Sequence, residues 1–246
     1  MQDLIGKAAL VTGGSRGMGA AIASTLAARG ADVAITYLNS AEKAGVVVSK
    51  IEAGGRKALA IRADSADAGA IVSAVEEAAA AFGRLDILVN NAGIFTYGPP
   101  EEVTLEEVDR TLAIHVRAVF LASQAALRHM TAGGRIVSIG SSFARRVPVG
   151  GVTLYAMSKS ALIGFTKGLA RDVGPRGITV NVVDPGSTDT DMNPADGPSA
   201  DDERALTALG AYGRPEDVAA LVAHLASEAG RNITGASLVI DGGVTA

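Results

Sequence analysis

The chain of 246 residues contains no cysteine. Disulfides, thiolate nucleophiles and cysteine-ligated metals are therefore excluded. Histidine is nearly as scarce: His115, His129 and His224 are too scattered to suggest a metal site, and no metal is expected. No apolar run is long enough to suggest a membrane span. The formal net charge of −4 supplies no basic surface for nucleic acid. Internal repeats and linkers are lacking as well, and the alanine tract Glu77-Ala78-Ala79-Ala80-Ala81 falls within helical spacing, where small side chains allow close helix-to-sheet packing. The first strand is expected to begin almost at Lys7, leaving no room for a signal peptide, so a cytoplasmic location is expected.

Apolar residues make up 48% of the chain, enough for one large α/β core, and residues 1–246 are expected to form a single domain. Short β-branched runs near 7–12, 32–37, 57–62, 85–90, 134–140, 177–183 and 237–240 alternate with alanine-rich amphipathic stretches. That alternation predicts a doubly wound parallel sheet of about seven strands, covered by helices on both faces, with ligands gathered at the carboxyl ends of the strands.

One such end carries the turn Thr12-Gly13-Gly14-Ser15-Arg16-Gly17-Met18-Gly19, between the apolar run Ala8-Ala9-Leu10-Val11 and a helix in which Met18, Ile22 and Leu26 recur every fourth residue. Glycines there let the backbone approach a pyrophosphate, and the helix N-terminus supplies unpaired N–H groups and a favourable dipole. The spacing Gly-x-x-x-Gly-x-Gly departs from the Gly-x-Gly-x-x-Gly fingerprint. Further on, Tyr155 and Lys159 stand at i and i+4, on one face of a predicted helix. An ammonium near the phenol would favour its ionised form and bring an acid catalyst toward neutral pH, and Ser141 would hold the same substrate oxygen.

Taken in order, Thr-Gly-x-x-x-Gly-x-Gly, Asn90-Asn91-Ala92-Gly93, Ser141, Tyr155-x-x-x-Lys159 and Asp184-Pro185-Gly186 resemble the short-chain dehydrogenase/reductase superfamily from Lys7 to Gly243. The likeness is greatest to the bacterial 3-oxoacyl-carrier-protein reductase and glucose-dehydrogenase branch. It implies a single-domain Rossmann-type fold and hydride transfer between a nicotinamide cofactor and a ketone or secondary alcohol. A sugar or cyclic-alcohol dehydrogenase is an alternative, and a non-catalytic dinucleotide-sensing protein on the same fold is another. It also implies a homotetramer built through the helices carrying His115 and Tyr155 and through the C-terminal strand.

Cofactor choice is read at the end of the second strand, Ile35-Thr36-Tyr37-Leu38-Asn39-Ser40, where NAD enzymes place a carboxylate. No acid stands there, and Arg16 is placed to pair with a 2′-phosphate, which favours NADP(H) without excluding NAD(H). By resemblance, Asp64, with Ser65 beside it, meets the adenine, although a helix N-cap near Ser65 and Asp67 is an equal reading. Asn91, Ala92 and Gly93 flank the ribose next to the nicotinamide, and Lys159 bonds its hydroxyls beside Tyr155. By resemblance, the segment Pro185-Gly186-Ser187-Thr188-Asp189-Thr190 would fix the carboxamide through the Thr188 backbone and the Thr190 hydroxyl. Residues near 188–212 would form a substrate lid.

Three positions leave choices open. His115 replaces the asparagine thought to hold a water in the family's proton relay; it would join the relay as a titratable group, support the water through its backbone, or lie buried and neutral. Ser141 and Ser142 stand fourteen and thirteen residues before Tyr155, and Ser141 is chosen because it closes a strand. Arg145 and Arg146 would meet an acidic carrier protein with Arg176, meet a smaller anionic ketone, or be solvated. The acidic lid disfavours a carrier.

Overall fold

The structure is a computed structural model and describes residues 2–246. Its seven strands are β1 (Ala8–Val11), β2 (Asp32–Tyr37), β3 (Ala58–Arg62), β4 (Ile87–Asn90), β5 (Arg135–Ile139), β6 (Thr179–Pro185) and β7 (Ser237–Ile240). All pair in parallel, in the order β3-β2-β1-β4-β5-β6-β7. The seven runs expected from β-branched composition are these seven strands.

Successive side chains of a strand point to opposite faces, and here both faces are apolar because both are covered. Ala9, Val11, Val33, Ile35, Ile87 and Val89 join one core, packed by α1 (Gly17–Ala28), α2 (Ala41–Ala53) and α8 (Pro215–Ala226). Leu10, Ala34, Leu88, Ile136 and Val180 join the other, under α3 (Ala68–Phe82), α5 (Ala118–Ala126) and α6 (Thr153–Val173). In α1 the buried stripe is Ile22, Ala23 and Leu26. Each large apolar side chain buried this way contributes roughly 1.5–3 kcal/mol. Helix α3 starts at Asp67, whose carboxylate accepts from the N–H groups of Gly69 and Ala70, and ends at Gly83, in the left-handed region at φ 71°.

The order of strands reverses between β1 and β4. A crevice opens at such a switch point, outside the carboxyl ends of the two strands, because their following helices depart to opposite faces. Between β4 and β5, α4 (Leu105–Leu112) runs through a single π-helical stretch, Ala113–Arg117, directly into α5. The wider turn carries His115. The last helix of the set, α7 (Ala200–Leu206), lies in the long segment between β6 and α8. Among the described residues, no helix is long and apolar enough to cross a membrane.

Candidate active site

A groove of about 310 Å³ runs across the switch point. Its first wall is the glycine turn. Gly13 and Gly17 have φ of 65° and 51°, which β-carbon-bearing residues avoid, and a Cβ on Gly13 would stand 2.9 Å from the Ala92 backbone. The turn is tied down from both neighbouring strands: the Gly13 N–H donates to Thr36 Oγ1 at 2.9 Å, and Asn91 Nδ2 donates to the carbonyls of Thr12 at 2.8 Å and Gly13 at 3.0 Å. Thr12 Oγ1 accepts from the N–H groups of Asn91 and Ala92, each at 3.0 Å. Helix α1 then begins at Arg16 with no side-chain cap and no acid in its first turn, so its leading N–H groups face the groove with the positive end of the helix dipole. These features fit a dinucleotide pyrophosphate.

Gly13, Ser15, Arg16, Gly17, Met18, Gly19, Tyr37, Asn39, Ser40, Asp64, Ser65, Asn91, Ala92, Gly93, Tyr155, Lys159 and Thr190 all line this groove. Pro185, Gly186 and Thr188 do not. Gly186 donates its N–H to the Ile240 carbonyl, and the Thr188 hydroxyl donates to the Gly186 carbonyl at 3.0 Å, which leaves the Thr188 backbone N–H uninvolved in either bond. Asp64 accepts from the Ala66 N–H at 2.8 Å, while the helix cap is Asp67.

At the mouth of the groove, Asp191 of its lining meets Lys43, a pair that no sequence motif marks. Asp191 takes an ion pair from Lys43 at 2.6 Å and another from Arg16 at 3.6 Å, closing the mouth of the groove with exposed charges. Lys43 carries a signal in hindsight: it sits near the N-terminus of α2, where the dipole disfavours a cation unless an anion lies close.

At the far end stand Ser141, Tyr155 and Lys159. Ser141 follows β5 with an extended backbone, and its Oγ accepts from the Phe143 N–H at 3.2 Å. Burial pushes the Tyr155 phenol up, and the Ser141 hydroxyl, which stands close enough to pull that group's pKa downward, only partly offsets this. That corrects the expectation of a phenol lowered by Lys159. The Lys159 ammonium donates to the Ile139 carbonyl at 2.9 Å and lies over the tyrosine ring, 5.8 Å from its centroid, rather than beside the oxygen. Burial lowers Lys159 itself to about 8, against an opposing pull from the buried carboxylate of Asp184.

His115 lies beneath this group, 1% exposed. Its Nε2 accepts from the Ile94 N–H at 3.0 Å, which assigns the proton to Nδ1. Nδ1 then donates to Ser158 Oγ at 2.8 Å, and that hydroxyl donates to the Tyr155 carbonyl at 2.7 Å. Burial, reinforced by the Lys159 charge, lowers His115 to about 3. A titrating relay histidine does not fit this arrangement, because both ring nitrogens are already spent and the ring stays neutral. Three arginines are likewise committed to internal partners. Arg145 binds Asp184 at 3.4 Å and Ser237 at 2.7 Å, and Arg146 binds the Val244 carbonyl, so both point toward the C-terminal strand. Arg176 donates to the carbonyls of Leu127 and Met130.

Comparison with known proteins agrees with this geometry. A family profile described as Enoyl-(Acyl carrier protein) reductase matches residues 13–245. A short chain dehydrogenase from Burkholderia cenocepacia J2315, solved in complex with NADP, is 64% identical, with a TM-score of 0.98 over 99% of this chain and 100% of that one. A blue fluorescent protein from a metagenomic library, solved with NADPH, is 56% identical with a TM-score of 0.98, each chain covered in full at 100%. A cyclic-di-GMP-binding biofilm dispersal mediator protein of Escherichia coli K12 is 46% identical over 98% of both chains. Nearly the whole length takes part in each of these likenesses: the chain belongs to the matched family and, with it, to the short-chain dehydrogenase/reductase superfamily.

Proposed function

We propose that the protein is an NADP(H)-dependent reductase of ketones, working reversibly on secondary alcohols. The observation that carries this is the grouping of Ser141, Tyr155 and Lys159, the Lys159 ammonium 5.8 Å from the Tyr155 ring centroid, at the end of a groove that begins at an uncapped helix N-terminus. When bound, the reduced nicotinamide supplies a hydride and is the two-electron reductant. Ser141 holds the carbonyl oxygen and stabilises its growing negative charge. Tyr155 gives that oxygen its proton and is left as a phenolate. The proton is regained from solvent. Asn91, Ala92 and Gly93 shape the wall beside the reacting centre, and Thr190 and Asp191 belong to a lid spanning residues 188–212. Thr188, Pro185 and Gly186 hold that lid's root.

NADP(H) is supported by Arg16 and Lys43 at the mouth, by the lack of an acid from Tyr37 to Ser40, and by relatives solved with NADP and NADPH. The same lack of an acid does not exclude NAD(H). The resemblance to 3-oxoacyl reductases extends to the mechanism and stops at the carrier, because Arg145, Arg146 and Arg176 are committed to internal partners. As in the superfamily, a cytoplasmic homotetramer is proposed, with the faces of α5 and α6 and strand β7 as contacts. His115 is read as a positioning residue that fixes the Ile94 backbone to α6.

Following NADPH oxidation against a panel of ketones tests the reading. Turnover that disappears in Tyr155→Phe supports it. The second reading, dinucleotide sensing without catalysis, is favoured by the 46% identical cyclic-di-GMP-binding biofilm dispersal mediator protein of Escherichia coli K12. Cofactor binding with no turnover of any carbonyl or alcohol would establish that one instead.

A further inference from the structure

The protein has only four tyrosines and five phenylalanines. Four of the nine aromatic side chains form one chain of ring contacts about the reacting phenol. Phe95 packs edge-on against Tyr155 with centroids 4.9 Å apart, Phe143 does so from another side at 6.3 Å, and Tyr97 stacks with Phe95 at 6.4 Å and 21° between planes. The outer pair is not core. Phe95 is 48% exposed and Tyr97 71% exposed, while Tyr155, packed against Phe95, is half-buried. The Tyr97 ring is held in place by Gly151, where a Cβ would come within 2.8 Å of it.

Two nearly parallel aromatic faces left to water at the reacting centre form an apolar wall, and the segment that carries Phe143 into α6 adds exposed Val147 and Val149. Charge is missing from it. The two arginines of that segment, the nearest cations in sequence, are turned toward Asp184, Ser237 and Val244. An anionic group laid on Phe95, Tyr97, Phe143, Val147 and Val149 would find no partner among them and would lose its hydration. A planar ring finds faces and edges to pack on, each such contact adding to simple burial.

We infer that the substrate is an uncharged aryl ketone, its ring laid on Phe95 and Tyr97 and its carbonyl reaching Ser141 and Tyr155. This rests on the carbonyl-reductase reading above and narrows it to a substrate class. The reaction balances as already described: the carbonyl carbon gains the hydride, the oxygen gains the Tyr155 proton, and the nicotinamide is oxidised.

The test compares acetophenone with 1-cyclohexylethanone, which match in carbon count and differ in ring planarity. Their intrinsic carbonyl reactivities differ, so the quantity read is the change in the ratio of their kcat/KM values between wild type and Phe95→Leu. Loss of the ring face should lower that ratio by about fivefold to tenfold, and Tyr97→Leu should lower it less. Both positions are exposed, so the variants should fold, which circular dichroism checks. A ratio unchanged in both variants overturns the inference. If neither ketone is reduced, the same ratio is read from their dissociation constants on the NADP-loaded protein. A preference for the aryl ketone that Phe95→Leu abolishes then upholds the aromatic site while sinking carbonyl reduction. Equal binding of the two ketones overturns the aromatic site as well.

Discussion

The two ends of the groove hold their charges differently. At the mouth, the side chains of Arg16, Lys43 and Asp191 are 53%, 56% and 47% exposed. At the catalytic end, Ser141, Lys159 and His115 are buried. Exposed ion pairs of the first kind are worth little to the fold, typically about 0.2–1 kcal/mol. They exchange partners cheaply, which suits a site that must accept and release an anion. The second kind pays for its position in desolvation, visible as Lys159 lowered to about 8 and His115 to about 3. Groups of this sort are poised rather than comfortable. Recognition and chemistry are thus separated along one cleft, and each end should respond to a different perturbation.

The largest effect is expected where the proton donor is removed. Tyr155→Phe takes away one oxygen and leaves the ring contacts with Phe95 and Phe143, so turnover should fall by about a thousandfold while NADPH binding changes little. Steady-state kinetics and fluorescence titration check both halves. Loss of binding in parallel with turnover would mean that the two ends are not separable.

Lys159→Met should come next, and with opposite signs for activity and stability. A lysine whose folded value lies below its unfolded one is penalised wherever the folded state must carry the charge. That penalty is complete below about pH 8 and fades as pH rises toward the ordinary lysine range. The variant should lose turnover and yet be more stable at pH 7 by about 1–2 kcal/mol, with no advantage left near pH ~10.5. Denaturant melts at the two pH values measure this. A variant less stable at both would show that the bond to the Ile139 carbonyl outweighs the desolvation.

At the mouth, Arg16→Ala should weaken NADPH by about tenfold and leave NADH within about twofold. Because the charges are exposed, raising the salt concentration should shrink the difference between wild type and variant. Asp191→Asn should act in the reverse sense, since it frees Lys43 and Arg16 from their competitor. Dissociation constants for both cofactors at two ionic strengths decide it. Equal losses for NADPH and NADH would remove Arg16 from phosphate recognition.

How much of this was legible in the chain depends on how far apart the interacting residues lie. The strands were legible because β-branched runs alternate with amphipathic stretches, and the glycine turn because positive φ demands glycine at Gly13 and Gly17. Tyr155 and Lys159 share a helix face, so spacing alone brought them together. Spacing did not say which way the ammonium points, and the Ile139 carbonyl, twenty residues earlier, claims it. The Lys43–Asp191 pair spans 148 residues and no local pattern announces it. Arg145 and Arg146 looked available because their partners, Asp184, Ser237 and Val244, come from strands β6 and β7 and from the chain beyond them. His115 was recognised as out of place, but its neutrality follows from the π-helical turn that drops it between Ile94 and Ser158.

The smallest effect expected concerns His115 and is seen in stability rather than rate. Its folded value of about 3 lies far below the ordinary histidine value, so the unfolded chain binds a proton there before the folded chain does. Stability therefore rises with pH across the interval from about 3 to about 6.5, and is lost on acidification through it. Acidification from pH 7 to pH 5.5 should cost about 1 kcal/mol from this residue alone. His115→Asn removes the titration, and its amide is able to serve both the Ile94 N–H and Ser158. The variant should thus lose less stability than wild type over that step, with a pH–rate profile that superimposes on wild type after scaling. Urea melts at the two pH values give the first comparison, and turnover from pH 5.5 to 8 gives the second. Identical acid sensitivity would mean that His115 ionises as freely folded as unfolded, and an ionisation near pH 6.5 that vanishes in the variant's rate profile would return the residue to the proton relay.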